Sequence, residues 1–177
     1  MSHTKKDWHG ILRLDEFVIK RGEEILFKTG NIYNILHTQG EAQILSALFL
    51  GGAVSNAYIP TNYYLGLDAR TSLSVSDTLL SLVAEPTTGG YNRQPVSSTT
   101  GFSIVTEGST VLAKSGVLAF SATGANWGPV SNMFLTNVAN GTGGILYSSI
   151  SLGASGGVTV NNGESVSMRF SMALSNC

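Results

Sequence analysis

From Ser165 to Leu174 polar and apolar residues alternate without a break. Val166, Met168, Phe170, Met172 and Leu174 fall on one side of an extended chain, and Ser165, Ser167, Arg169, Ser171 and Ala173 on the other. A period of two suits a strand with one face on a core and one in water, and a helix would scatter these residues around its circumference. Such a strand needs partner strands for its backbone and a second apolar layer for its face, so it points to packed sheets.

Shorter stretches repeat the pattern. Leu118, Phe120 and Ala122 alternate, as do Phe102 and Ile104, and residues 145–152 read as a further strand. The first 36 residues read as strands around Ile11, Leu12 and Leu14, then 17–19 and 25–27, with Gly22 at the centre of a charged hairpin turn, Lys20-Arg-Gly-Glu-Glu24. Gly- and Asn-rich clusters at 124–126, 140–144, 153–157 and 161–163 supply turns. The expected fold is mainly β, an antiparallel β-sandwich of jelly-roll-like topology. Tyr63, Leu65 and Leu67 are placed on one face of another strand.

Two short helices are expected in the connections. The first, at about 39–50, starts at Thr38-Gln-Gly-Glu41, a capping-box pattern, and puts Ile44, Leu45, Leu48 and Phe49 on one face to dock on a sheet. The second, at about 76–84, has Ser76 as cap, Asp77 in the first turn and Pro86 barring continuation.

Charge divides the chain unevenly. Of 21 Lys, Arg, Asp and Glu, 12% of 177 residues and half the usual share, twelve lie in residues 1–41 and four in residues 95–177: Glu107, Lys114, Glu164 and Arg169. The boundary suggests a charged N-terminal arm and hairpin at 1–37 ahead of a sandwich body at 38–177. A charge-poor body rich in Ser, Thr and Asn fits burial against other proteins, because unpaired charge is costly to bury. The same composition is also ordinary for β proteins. With a net charge of −1 there is no basic excess for nucleic acid or an anionic membrane. The longest apolar-leaning run, 44–54, is too short to span a bilayer, and the N-terminus reads as no secretory signal.

A search for chemistry finds none. His3, His9 and His37 have no Cys or carboxylate at ligand spacing, and one cysteine, Cys177, excludes multi-cysteine metal sites and disulfide frameworks, so no metal or cofactor is expected. The G-x-S-x-G spacing at Gly153-Ala-Ser-Gly-Gly157 lies in a Gly-rich turn cluster and does not join a strand to a helix, so it singles out none of the 22 serines as a nucleophile. The body's carboxylates are Asp68, Asp77, Glu85, Glu107 and Glu164; Asp77 reads as a helix-start residue and Glu164 as a turn residue. The Gly-rich stretches lack the Lys-Ser/Thr of a phosphate loop. Trp127, in Ala125-Asn-Trp-Gly-Pro129, is the one candidate binding residue: exposed on a loop it would stack on a sugar ring, and otherwise it caps one end of the sandwich.

Several fragments together are similar to small structural proteins of tailed bacteriophages and prophages. They are Tyr63-Tyr-Leu-Gly-Leu-Asp68, Ser74-Val-Ser-Asp-Thr-Leu-Leu-Ser-Leu82, Glu85-Pro86, Gly89-Gly-Tyr-Asn-Arg-Gln94 and Trp127-Gly-Pro-Val130, in this order. The likeness covers roughly residues 40–177 and carries over no catalytic residue. It implies a non-enzymatic virion component made in the host bacterial cytoplasm. A capsid decoration or cement protein binding the major capsid protein as a homo-oligomer, dimer or trimer, is the first expectation. A tail fibre, baseplate or adaptor part and a glycan-binding jelly roll are the alternatives.

Overall fold

The computed structural model describes residues 8–33, 35–49, 59–82, 84–153 and 157–176. Its strands are β1 (Trp8–Arg21), β2 (Glu24–Thr29), β3 (Ile32–Tyr33), β4 (Ile35–Leu36), β5 (Asn62–Asp68), β6 (Gln94–Ser97), β7 (Phe102–Glu107), β8 (Thr110–Ser115), β9 (Leu118–Ser121), β10 (Trp127–Val130), β11 (Asn132–Thr136), β12 (Leu146–Ser151), β13 (Val158–Val160) and β14 (Ser165–Asn176). Among the described residues one α-helix, α1 (Thr38–Phe49), accompanies them. The protein is mainly β with antiparallel sheets, as the alternation predicts.

The alternating segment is β14, and it organises the larger sheet. That sheet runs β2-β1-β14-β8-β7, with β3 also on β1 and β9 also on β14. The second sheet runs β4-β12-β11-β5-β6, and β10 pairs β13 separately. Val166, Met168 and Phe170 of β14 are buried in one core with Leu14, Phe17 and Ile19 of β1, and with Leu65, Leu67, Met133, Leu135 and Ile150 of the second sheet. Edge-to-face rings bridge the sheets, from Tyr147 to Tyr63, Phe102 and Phe170. First and last strands meeting mid-sheet is the jelly-roll-like feature.

The 37/38 boundary does not separate an arm from a body. β1 pairs β14 from Trp8↔Asn176 to Lys20↔Ser165, and β4 pairs β12, so residues 8–36 contribute to both sheets. Burial of Leu14, Phe17 and Ile19 drives this placement, and local charge density does not oppose it, because charged side chains take the outward positions of the same strand. Residues 1–7 lie outside the described residues.

Strand β5 is buried on both faces, beyond the one apolar face expected. Leu65 and Leu67 enter the main core, while Gly66 faces the ring of Phe134, leaving no room for a Cβ. Phe134 belongs to a second small core with Leu79, Leu82 and Leu146, roofed by the connection after β5.

That connection is not the expected helix at 76–84. Only Leu79–Ser81 form a 3-10 turn. The Asp77 carboxylate accepts the Ser74 N–H at 2.7 Å and meets Arg70 at 3.4 Å, which folds a turn before the leucines. Buried Asp68 accepts the N–H groups of Arg70 (2.9 Å) and Ala84 (3.3 Å), tying both ends of the connection to β5. Asp and Ser bond their own neighbourhood in preference to propagating a helix.

Helix α1 forms where expected, with two departures. The Thr38 hydroxyl donates to the Val75 carbonyl at 3.3 Å, docking the helix start on the neighbouring loop in place of the capping box. Gly40, the buried helix residue, lies against the Tyr147 backbone, yet Leu45, Leu48 and Phe49 remain exposed at 48%, 60% and 78%.

Candidate functional site

Trp127 is a core residue. It is 1% exposed on β10, and its indole Nε1 donates to the Gly89 carbonyl at 3.1 Å. Gly89 sits at φ +67°, and a side chain there would run into Trp127 and the Ala125 carbonyl. The ring therefore presents no face to a sugar, because Phe120 and Tyr91 cover it edge-on at 6.1 and 5.4 Å.

The fragments around it lock together. Tyr91 stacks on Phe120 at 5.9 Å; its hydroxyl accepts the Leu67 N–H at 2.7 Å and donates to Glu85 at 2.8 Å. Burial, reinforced by the adjacent Glu85 carboxylate, pushes the Tyr91 phenol far up, so it stays a neutral donor. Arg93 grips both Glu85 oxygens at 2.8 Å and donates to the carbonyls of Val138 (3.0 Å) and Gly141 (2.9 Å), over the Phe134 ring at 5.1 Å. This unit ties Leu67, Glu85, Gly89, Tyr91, Arg93 and Trp127 into one end of the fold. The Tyr91 hydroxyl, the Arg93 guanidinium and the Trp127 indole all donate to acceptors inside the protein.

The described residues contain no group of His, Cys, Asp and Glu able to hold a metal ion. His37 Nε2 lies 2.8 Å from Ser149 Oγ, and both residues are buried. His3 and Cys177 lie outside the described residues. Asp77 and Glu164 both serve turns, the latter accepting the Asn161 N–H at 2.8 Å.

Two open surfaces among the described residues differ sharply in character. The first is a cleft of about 570 Å³ on the outer face of the larger sheet, lined by Arg13, Asp15, Glu16, Lys28, Glu107, Lys114 and Arg169 among others. A bulge in β1 between Leu14 and Glu16 turns Asp15 into it. Arg13 bonds Asp15 at 2.6 Å and Glu107 at 2.7 Å, Lys114 bonds Glu107 at 2.9 Å, and Lys28 pairs Glu16 at 2.9 Å. Hydrogen bonds from Lys114 and Arg13 hold the Glu107 carboxyl below its ordinary pKa, and Lys28 does the same for Glu16. Three of the four charges beyond residue 95 thus share the cleft with charges of β1 and β2, and the fourth, Glu164, bonds Arg21 at the end of β1 at 2.7 Å. The asymmetry along the chain becomes pairing across the sheet. Its sequence signal was that each late charge has an early one of opposite sign available.

The second surface is apolar. Ile44, Ala47 and Leu48 of α1, with Ile59, Pro60, Tyr63 and Tyr147, line a groove of about 280 Å³ that carries no charged residue. Ile59 is 63% exposed, and the Leu45, Leu48 and Phe49 side chains of α1 stand in water. At the floor the buried Tyr147 hydroxyl has no hydrogen-bond partner. No described helix is long and apolar enough to cross a membrane.

Comparison of the chain with models of known protein families and with curated proteins finds no match.

Proposed function

We propose that this protein is a non-enzymatic structural component of a bacteriophage virion, a capsid decoration or cement protein that docks on the major capsid lattice. The observation that carries the reading is the α1 surface: Leu45, Leu48 and Phe49 are large, apolar and exposed, and Leu48 shares an apolar groove with exposed Ile59. Contiguous exposed apolar groups of this kind mark protein contact surfaces. A groove lined without charged residues suits contacts that persist as salt changes, because screening acts only on charge. The locked unit around Tyr91, Arg93 and Trp127 supports the same reading, since the fragments similar to virion proteins build a rigid body with no reactive group. Burial of Trp127 removes the specific support for the glycan-binding alternative.

The test is particle composition. Particles purified from cells making the protein should contain it in copies that match the capsid lattice, and Leu48→Asp with Phe49→Asp should abolish incorporation while the purified variant keeps its melting temperature. A handful of copies per particle would assign it to the tail. Unchanged incorporation of the double variant would remove the α1 face from the interface.

A further inference from the structure

We infer that two copies of this chain join edge to edge through β7, extending the larger sheet across a twofold axis at Ile104. The inference is independent of the virion reading.

Its starting point is a mismatch of strand lengths. β1 and β14 run 14 and 12 residues, whereas strands of the second sheet run 2 to 7. Core burial on β14 reaches Phe170, and Met172 beyond it is only partly covered. The register places Met172 opposite Ala113 and Ala113 opposite Ile104, so these three share the core-facing side of the sheet past the end of the covering layer. Ile104 is 74% exposed there, and Val111, opposite Thr106 on the same side, is 57% exposed.

β7 is the last strand on its side of the sheet. Alternate residues of such a strand direct N–H and C=O groups outward, and these recognise one thing, another extended backbone. Proteins that keep an edge single place Pro or inward-pointing charge on it. β7, Phe102-Ser-Ile-Val-Thr-Glu107, has no Pro, and its one charge, Glu107, lies at its end and already bonds Arg13 and Lys114.

The segment is complementary to itself. Side chains facing each other across an antiparallel pair must lie on the same face, which restricts a twofold axis to passing through one residue. Centred on Ile104, the axis puts Ile104 against Ile104 of the second copy, Ser103 against Val105, and Phe102 against Thr106. Glu107 then faces Gly101. The two Glu107 carboxylates sit six positions apart along the strands, about 20 Å, beyond the ~8 Å screening length at physiological salt. No like charges oppose, and the two most exposed isoleucines of the edge bury each other.

Cysteine cross-linking and sedimentation test this on the full chain. Directly opposed antiparallel residues have Cα atoms about 4.5–5.5 Å apart, inside the disulfide range. In a Cys177→Ser background, Ile104→Cys should oxidise to a covalent dimer, while Ser109→Cys at the exposed hairpin tip should stay monomeric. Ile104→Lys, at a position exposed in one copy, should keep the melting temperature and weaken self-association about a hundredfold. A monomeric wild-type protein at high micromolar concentration, Ile104→Cys oxidising no faster than Ser109→Cys, or Ile104→Lys sedimenting as wild type would each overturn the inference.

Discussion

On the outer face of the larger sheet, Arg13, Asp15, Glu16, Lys28, Glu107, Lys114 and Arg169 share an open cleft in contact with water. Behind the second sheet, Arg93 is sealed at 2% side-chain exposure against Glu85, two carbonyls and the Phe134 ring. The ion-pair distances hardly differ, 2.7–2.9 Å in the cleft for Arg13, Lys114 and Lys28 with their glutamates and 2.8 Å at Arg93. Surroundings decide what each contact does. In the cleft, water replaces a lost partner; at Arg93 nothing does, so the same chemistry is replaceable decoration in one place and a structural pin in the other.

The largest expected effect is therefore at the pin. Arg93→Met strands Glu85 and the carbonyls of Val138 and Gly141, and should cost about 3 kcal/mol in urea unfolding, the lower end for breaking a buried pair because Glu85 retains some contact with water. Adding Glu85→Leu should recover part of that loss, since replacing both partners removes the stranded charge. If the single variant unfolds like wild type, the contrast between the two regions fails.

An intermediate effect is expected at His37. Burial holds this imidazole below its ordinary pKa, against the opposing pull of Asp77 and of the Ser74 and Val75 backbone. The unfolded chain then takes up the proton first as pH falls. Stability is complete above the unfolded pKa of about 6.5 and declines below it, by at most about 1.4 kcal/mol per pH unit. His37→Gln should flatten melting temperature between pH 7 and 5. The cleft carboxyls of Glu16 and Glu107, held low by Lys28 and by Lys114 with Arg13, act in a separate window. Their contribution is present above about pH 4.5 and is lost below it. A wild-type profile flat from pH 7 to 5 would contradict the role of His37.

The smallest effect is expected in the cleft. Lys28→Ala, removing an exposed partner of Glu16, should change stability by less than about 1 kcal/mol, and less still in high salt. A loss comparable to that of Arg93→Met would mean that the cleft is built as tightly as the pin.

Legibility followed the same divide. Strands that alternate in sequence, above all β14, and the hairpin at Gly22 were readable because alternation is local. The doubly buried β5 and the 3-10 turn at Leu79–Ser81 were not, since the Asp68 contacts that shape them join residues 16 apart. Trp127 and Arg93 stood in fragments whose order was visible, while their meeting depends on the fold. The exposed face of α1 was predicted as buried, because periodicity identifies an apolar face without saying what covers it.

The measurement that bears most directly on the proposed role, a protein-binding module of the capsid, is a cryo-electron microscopy map of intact particles from cells that make the protein. The account predicts the sandwich on the capsid lattice with Leu45, Leu48 and Phe49 of α1 at the contact. Density confined to the tail, or particles without the protein, would contradict it.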